Sequence, residues 1–165
     1  LFQMMQYSDI IFGDQNEWEI ASGVPHIPFE ALDADYEIAK EAYLEYFRKM
    51  HQLFPKCKKM LMAVRNQIAS SHHTLSGLLY DAVEDQLYTT RIYDIEPIVD
   101  PMGVGDAFIA AYIHAHQKWG DKNQYCLDFS LSASAIKNTV PGDQNLVTEE
   151  EIINNMTSSG GRIQR

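Results

Sequence analysis

Asp100-Pro101-Met102-Gly103-Val104-Gly105-Asp106-Ala107-Phe108 joins two stretches of opposite character. Before it, Ile95 to Val99 is rich in branched residues, the composition of a strand. After it, Ala107 to Gln117 carries small and apolar residues on most sides, the composition of a buried helix. The two glycines between them predict a sharp strand-to-helix turn. A helix N-terminus presents unpaired N–H groups and about half a positive charge. Glycine lets a phosphate approach such a backbone closely. An aspartate in the same turn can accept a proton from a hydroxyl. An anion hole beside a base meets two needs of phosphoryl transfer to an alcohol. The same letters also fit a plain turn with Asp106 as a cap. No Gly-Lys-Ser or Gly-Lys-Thr follows, so the turn is not a P-loop, and it does not match the dinucleotide fingerprint.

Upstream, Tyr7 to Phe12 predicts a short buried strand closed by Gly13. Asp14-Gln15-Asn16-Glu17 opens a helix with acids in its first turn, and Gly23 stops it. Pro25 and Pro28 mark a loop. From Ala34 to Gln52, Ile38, Ala42, Tyr43, Tyr46, Phe47 and Met50 share one helical face. Met60 to Val64 predicts a second buried strand, Ile68 to Thr74 a polar loop, and Gly77 to Tyr80 a third strand. Asp81 to Gln86 reads as a turn, and Leu87 to Ile92 and Ile95 to Val99 as strands. Downstream, Asp121 is expected to cap a helix reaching about Lys137. Pro141-Gly142-Asp143 is a turn. Thr148-Glu149-Glu150-Glu151 is a capping box before a short last helix. Ser158 to Gly161 predicts a flexible tail, with Arg162 and Arg165 as terminal charges. Strands and helices alternate without repeat or linker. That predicts one α/β domain with helices on both faces of a mostly parallel sheet and an antiparallel edge from Gly77 to Val99.

Of the 165 residues, 45% are hydrophobic and 22% charged, as in an ordinary globular domain and unlike a disordered or collagen-like chain. The net charge is −10, from 13 basic and 23 acidic residues. Without strong basic clustering, such a surface repels nucleic-acid phosphates. No run of eighteen apolar residues predicts a membrane-spanning helix. Cys57 and Cys126 follow no metal spacing and read as thiols of a reducing compartment, so a cytoplasmic location is expected. No signal peptide is legible at the start. A start at Leu1 rather than methionine is expected of a segment inside a longer protein. His114 and His116, two apart on a helix, face different sides and do not predict chelation.

The stretch from Asp100 to Phe108 resembles the C-terminal signature of ribokinase-like carbohydrate kinases of the phosphofructokinase B type. The resemblance implies a ribokinase-like three-layer α/β/α fold. Residues 1–165 would form the C-terminal portion, with the nucleotide site and catalytic base, while the N-terminal half and lid sheet lie outside it. Gly103, Val104, Gly105 and Asp106 then form the anion hole. Asp106 is the base and touches the sugar hydroxyl. Val104 stands where the family carries alanine, and Pro101 and Met102 replace threonines. Asp100 is implied as a ligand of a monovalent cation. Asp14 and Glu17 match the family's N-x-x-E pair, which organises magnesium through water, with aspartate in place of asparagine. Asn16 and Glu19 fit the letters as an alternative pair, and first-turn acids of a helix as another reading. Arg65 and Gly77 fall in the nucleotide-contacting segment, whose loop, Asn66 to Ser76, is longer than usual and holds His72 and His73 as expected solvent-exposed residues. Asn138 is implied beside the adenine, and Asp143 beside the sugar.

Ser70 to Tyr80, Ala133 to Asn145 and Gly161 to Arg165 resemble the bacterial branch of the family that phosphorylates 2-keto-3-deoxygluconate. The implied activity is transfer from ATP, with Mg2+, to the terminal hydroxyl of that sugar acid. The implied partners are the sugar acid and ATP, with neither nucleic acid nor membrane, in a homo-oligomer. Most sugar-selecting residues are expected in the half that precedes this chain. Two alternatives stay open. One is a kinase of the same family for fructose, ribose or an aminosugar. The other is a non-catalytic nucleotide-binding module.

Overall fold

The computed structural model describes residues 1–29 and 34–158. The expected tail from Ser159 on, with the similar stretch Gly161 to Arg165, lies outside the described residues. The elements are α1 (Phe2–Met5), β1 (Ile10–Gly13), α2 (Gln15–Ser22), α3 (Lys40–Leu53), β2 (Lys59–Ala69), β3 (His72–Asp81), β4 (Gln86–Thr89), β5 (Tyr93–Ile95), α4 (Val104–Trp119), α5 (Asn123–Lys137) and α6 (Glu149–Thr157).

Strands β1, β2, β3 and β4 lie in that order, and β5 also pairs with β3. β1 and β2 are parallel, while β2–β3, β3–β4 and β3–β5 are antiparallel. The sheet is therefore mixed, and the antiparallel part expected as an edge makes up most of it here. Side chains alternate across it, as a pleated strand requires. Met60, Met62 and Val64 of β2 and Leu78 and Tyr80 of β3 join Trp18 of α2 and Tyr43, Phe47 and Met50 of α3 in one core. Leu61, Leu75 and Leu79 face the other way, into a core with Phe108 and Tyr112 of α4 and Leu127, Phe129 and Leu131 of α5. With both faces covered, the three-layer α/β/α order is realised, and β2 and β3 read as nearly continuous apolar runs for that reason. Among the described residues no helix is long and apolar enough to cross a membrane.

Four local expectations differ from the structure. The strand expected from Ile95 to Val99 lies at Tyr93–Ile95 instead, and Val99 N–H donates to Asn138 O. The predicted polar loop at Ile68 to Thr74 is the tip of a long hairpin. Asn66 pairs with Thr74 and Gln67 with His73, with a register shift before Ala69. Burial alternates there across polar residues as well: Val64 and Asn66 are buried, Arg65 and Gln67 exposed. The helix expected from Ala34 begins at Lys40. Tyr36 is held in tertiary contact instead, its hydroxyl 3.3 Å from Ser76 Oγ and its ring edge-on to Phe29. Asp121 does not cap α5, whose N-cap is Lys122 without a side-chain bond. Its carboxylate accepts from Lys59 Nζ at 2.9 Å.

That contact belongs to a buried polar knot at the foot of the sheet. Lys59 Nζ also donates to Asp81 Oδ2 at 3.1 Å, and Asn123 Nδ2 donates to the same oxygen at 2.8 Å. Asp81 Oδ1 accepts from the N–H groups of Val83 and Glu84. Burial pushes the Asp81 carboxyl up, but the bonds from Asn123, Glu84 and Lys59 outweigh it and hold it below its ordinary value. A carboxylate depressed in the folded state contributes its full stability above the unfolded pKa of about 3.9 and loses it as pH falls through the folded value. Lys59→Met leaves Asp81 buried without its cation. It should cost about 3–5 kcal/mol of unfolding free energy in urea titrations at pH 7, and the cost should shrink as the buffer is taken below about pH 4.

Candidate functional site

Gly103 is the N-cap of α4 and has φ +74°, in the left-handed region. A Cβ there would collide with the backbone carbonyl of Asp143 and lie 2.8 Å from Asp143 Oδ1. Only glycine satisfies both conditions. Ala107 N–H donates to Gly103 O at 2.9 Å, which opens the helical ladder. The N–H groups of Val104, Gly105 and Asp106 thus precede the first intrahelical bond, and no side chain caps this end. A Cβ on Gly105 would meet nothing within 4 Å, so its backbone is bare. Asp106 is exposed in the same turn and is not the cap. Anion donors and a carboxylate therefore stand side by side.

The turn is held from beneath by side chains expected to touch ligands. Asp100 Oδ1 accepts from Met102 N–H at 3.0 Å and Oδ2 from Gly142 N–H at 2.9 Å. Those two bonds hold the Asp100 carboxyl below its ordinary value. Asn138 is 2% exposed. Its carbonyl accepts from the N–H groups of Val99 and Asp100, and its Nδ2 donates to Ser134 O. Ser134 Oγ donates to Val104 O at 3.0 Å. Asn138 therefore ties the end of α5 to the run into the glycine turn, and it is not among the residues lining the cleft described below. Asp143, by contrast, is exposed and abuts Gly103.

A cleft of about 430 Å³ brings together Asp14, Arg65, Leu75, Pro101, Val104 and Gly105. It lies where β1 and its parallel pairing with β2 end, at Gly13 and Met62, and the N-termini of α2 and α4 both open on it. Asp14 and Glu17 form a reciprocal capping box: Asp14 Oδ1 accepts from Glu17 N–H at 2.9 Å and Glu17 Oε2 from Asp14 N–H at 3.0 Å. Each carboxylate keeps one oxygen outside the cap, a donor set that suits magnesium with retained waters. Among the described residues no group of three or more His, Cys, Asp or Glu could hold a metal directly. A larger groove of about 840 Å³ lies between Tyr36–Ala42 and Thr89–Ile92. It holds neither the bare glycine backbone nor the aspartate, so size does not mark the chemistry here.

Gly77 and the histidines are placed differently from expectation. Gly77 is buried in β3, and its N–H donates to Thr90 Oγ1 at 2.9 Å. A Cβ would press within 3.2 Å of Leu127 Cδ1 on α5, so close packing accounts for this glycine. It does not line the cleft with Arg65. His72 Nε2 lies 2.6 Å from Asp94 Oδ1. His73 is 6% exposed and its Nε2 has no partner. Burial, then the nearby charges of Arg65 and His72, push its imidazole below its ordinary value. Gln15, His26 and Phe29 also line the cleft and were not anticipated. Only the loop prolines near them were legible, and these do not reveal which way a loop folds.

The two glycines should separate strain from access. Gly103→Ala should cost about 1–3 kcal/mol from the left-handed backbone alone, besides displacing Asp143. Gly105→Ala should stay within about 1 kcal/mol of the native protein. Urea unfolding of both variants reads the difference.

The sequence matches no protein-family model and no curated protein. Solved structures do match. The 2-dehydro-3-deoxygluconokinase of Thermotoga maritima superposes with a TM-score of 0.80 at 26% identity, over 94% of this chain and 43% of that one. A PfkB family carbohydrate kinase from Listeria grayi gives 0.75 at 26% identity, over 94% and 43%. Arabidopsis thaliana ribokinase, complexed with ribose and ATP, gives 0.63 at 18% identity, over 96% and 44%. The structural neighbours of this chain are thus PfkB- and ribokinase-family carbohydrate kinases, and the ribokinase-like fold is theirs. The chain spans about 43% of the length of the first two.

Proposed function

We propose that this chain is the C-terminal portion of an ATP-dependent sugar kinase, carrying the phosphoryl-binding turn and the base. The observation that carries this reading is the bare, uncapped start of α4 with exposed Asp106 inside it, at the edge of a cleft shared with Arg65 and Asp14. The similarity to carbohydrate kinases supports it.

In this reading the Asp106 carboxylate takes the proton of the acceptor hydroxyl. The freed oxygen bonds to the γ-phosphorus as the bond to the β,γ-bridging oxygen breaks, and ADP leaves. The N–H groups of Val104, Gly105 and Asp106 hold the charge on the transferring group. Arg65 adds a positive charge on the same cleft. Magnesium, when bound, would neutralise phosphate charge, and Asp14 and Glu17 would hold it through water. Asp100 and Asn138 keep the turn in place. A monovalent cation beside Asp100 rests on the family resemblance alone.

The proposed acceptor is the terminal hydroxyl of 2-keto-3-deoxygluconate. Its support is the 26% identity to the Thermotoga maritima enzyme and the similar stretches at Ser70 to Tyr80 and Ala133 to Asn145. Equal identity to the Listeria grayi carbohydrate kinase, for which no sugar is stated, leaves a different sugar as the second reading, and a sugar panel on the complete polypeptide separates the two.

Asp106→Asn in the complete polypeptide should lower kcat about 10²–10⁴-fold and leave the Kd for ATP unchanged within about twofold. Turnover close to that of the native protein would remove Asp106 from the role of base.

A further inference from the structure

His26 lines the cleft of the glycine turn with Asp14, Arg65, Val104 and Gly105, and the transfer proposed above gives it no role. It comes from the loop after α2, and α2 itself holds that loop. Glu19 Oε2 accepts from the His26 N–H at 3.3 Å and also contacts the ring at Nδ1. Gln15 Oε1 accepts from the N–H of the next residue, Ile27, at 3.0 Å. The His26 ring, and then its N–H, hold the Glu19 carboxyl below its ordinary value. An ionised carboxylate at Nδ1 fixes the proton on that nitrogen, so Nε2 is the one left for a ligand. The His26 side chain is 43% exposed, so a ligand can reach the ring.

The cleft has a use for a further cation. Among the described residues lining it, Arg65 is the only permanent one, and the Asp14 carboxylate stands against it. The polyphosphate of a nucleotide brings several negative charges to the same space. The charged groups around His26 are Glu19 and Asp14 from α2 and Arg65 from β2, while α4 brings the uncapped N–H groups of its first turn. Of these groups only an imidazole changes its charge between pH 6 and pH 8.

We propose that His26, oriented by Glu19, is a second cationic contact for the nucleotide phosphates, donating from Nε2 to a phosphate oxygen. The proposal rests on the nucleotide reading of the cleft and adds to it a dependence on pH. The protonated ring makes a charge-assisted bond, and the neutral ring has no proton left at Nε2 to donate. Nucleotide is therefore held more tightly at pH 6 than Arg65 and the two helix ends alone would hold it.

The test is the Kd of a non-hydrolysable ATP analogue with magnesium, measured on the complete polypeptide at pH 6 and pH 8 for the native, His26→Gln and Glu19→Ala proteins. The ratio of variant to native Kd cancels the titration of the analogue itself. His26→Gln should weaken binding about three- to tenfold at pH 6 and less than about twofold at pH 8. Glu19→Ala breaks the same hold on the loop but keeps the imidazole, so its loss at pH 6 should be smaller. Three results would overturn the proposal and leave the proposed function standing: native affinity in His26→Gln at pH 6, the same loss in that variant at both pH values, or equal losses in the two variants at pH 6, which would make His26 a loop anchor only. No binding of the analogue by the native polypeptide would instead remove the nucleotide reading itself, and this proposal with it.

Discussion

The contact between Gly103 and Asp143 sets the geometry on which the site depends. Gly103 sits in a left-handed conformation against the Asp143 carbonyl, and a side chain of any size would collide there. This close approach joins the turn after α5 to the start of α4. Asp100 makes the same join from below, by accepting from Met102 on one side and Gly142 on the other. Asn138 completes it by accepting from Val99 and Asp100. Backbone N–H groups stabilise a transferring charge only if they are already aimed when it develops. Here short-range bonds from Asp100 and Asn138 fix that aim.

The sheet determines what the turn faces. β2 and β3 bury alternate residues in two separate cores, so α2 and α3 lie on one side and α4 and α5 on the other. β1 and β2 run parallel, and the end of their pairing meets the starts of α2 and α4. Two positive helix ends, Arg65 and the Asp14 carboxylate then border one cleft. In open α/β sheets such crevices at the carboxyl ends of strands are where ligands bind. At the opposite end of β2, the knot of Lys59, Asp81, Asp121 and Asn123 holds the hairpin to α5, away from the cleft.

Much of this was legible in the residues. Short continuous apolar runs marked β1 and the cores of β2 and β3, and Gly23 and Thr148 marked a helix end and start as the structure has them. The glycine turn was legible as a turn from its two glycines, while its chemistry was legible only through the resemblance of Asp100 to Phe108 to a family signature, since the same letters fit a plain turn. The hairpin tip was not. Asn66, His73 and Thr74 look like loop residues, yet tertiary cover buries them. Single-residue roles were harder still. Asn138 and Gly77 fit a ligand-contacting motif by position, but burial turns the first into a brace and the second into a packing glycine. Whether a residue faces a cavity depends on its neighbours in space, which spacing along the chain does not specify.

The central claim is that the start of α4 receives the phosphoryl groups of a nucleotide. The direct measurement is an amide-shift titration of the complete polypeptide with a non-hydrolysable ATP analogue and magnesium. The account predicts the largest downfield shifts at the N–H groups of Val104, Gly105 and Asp106, with Arg65 responding beside them. Shifts confined to the larger groove at Tyr36–Ala42 and Thr89–Ile92, with the glycine turn unmoved, would contradict it.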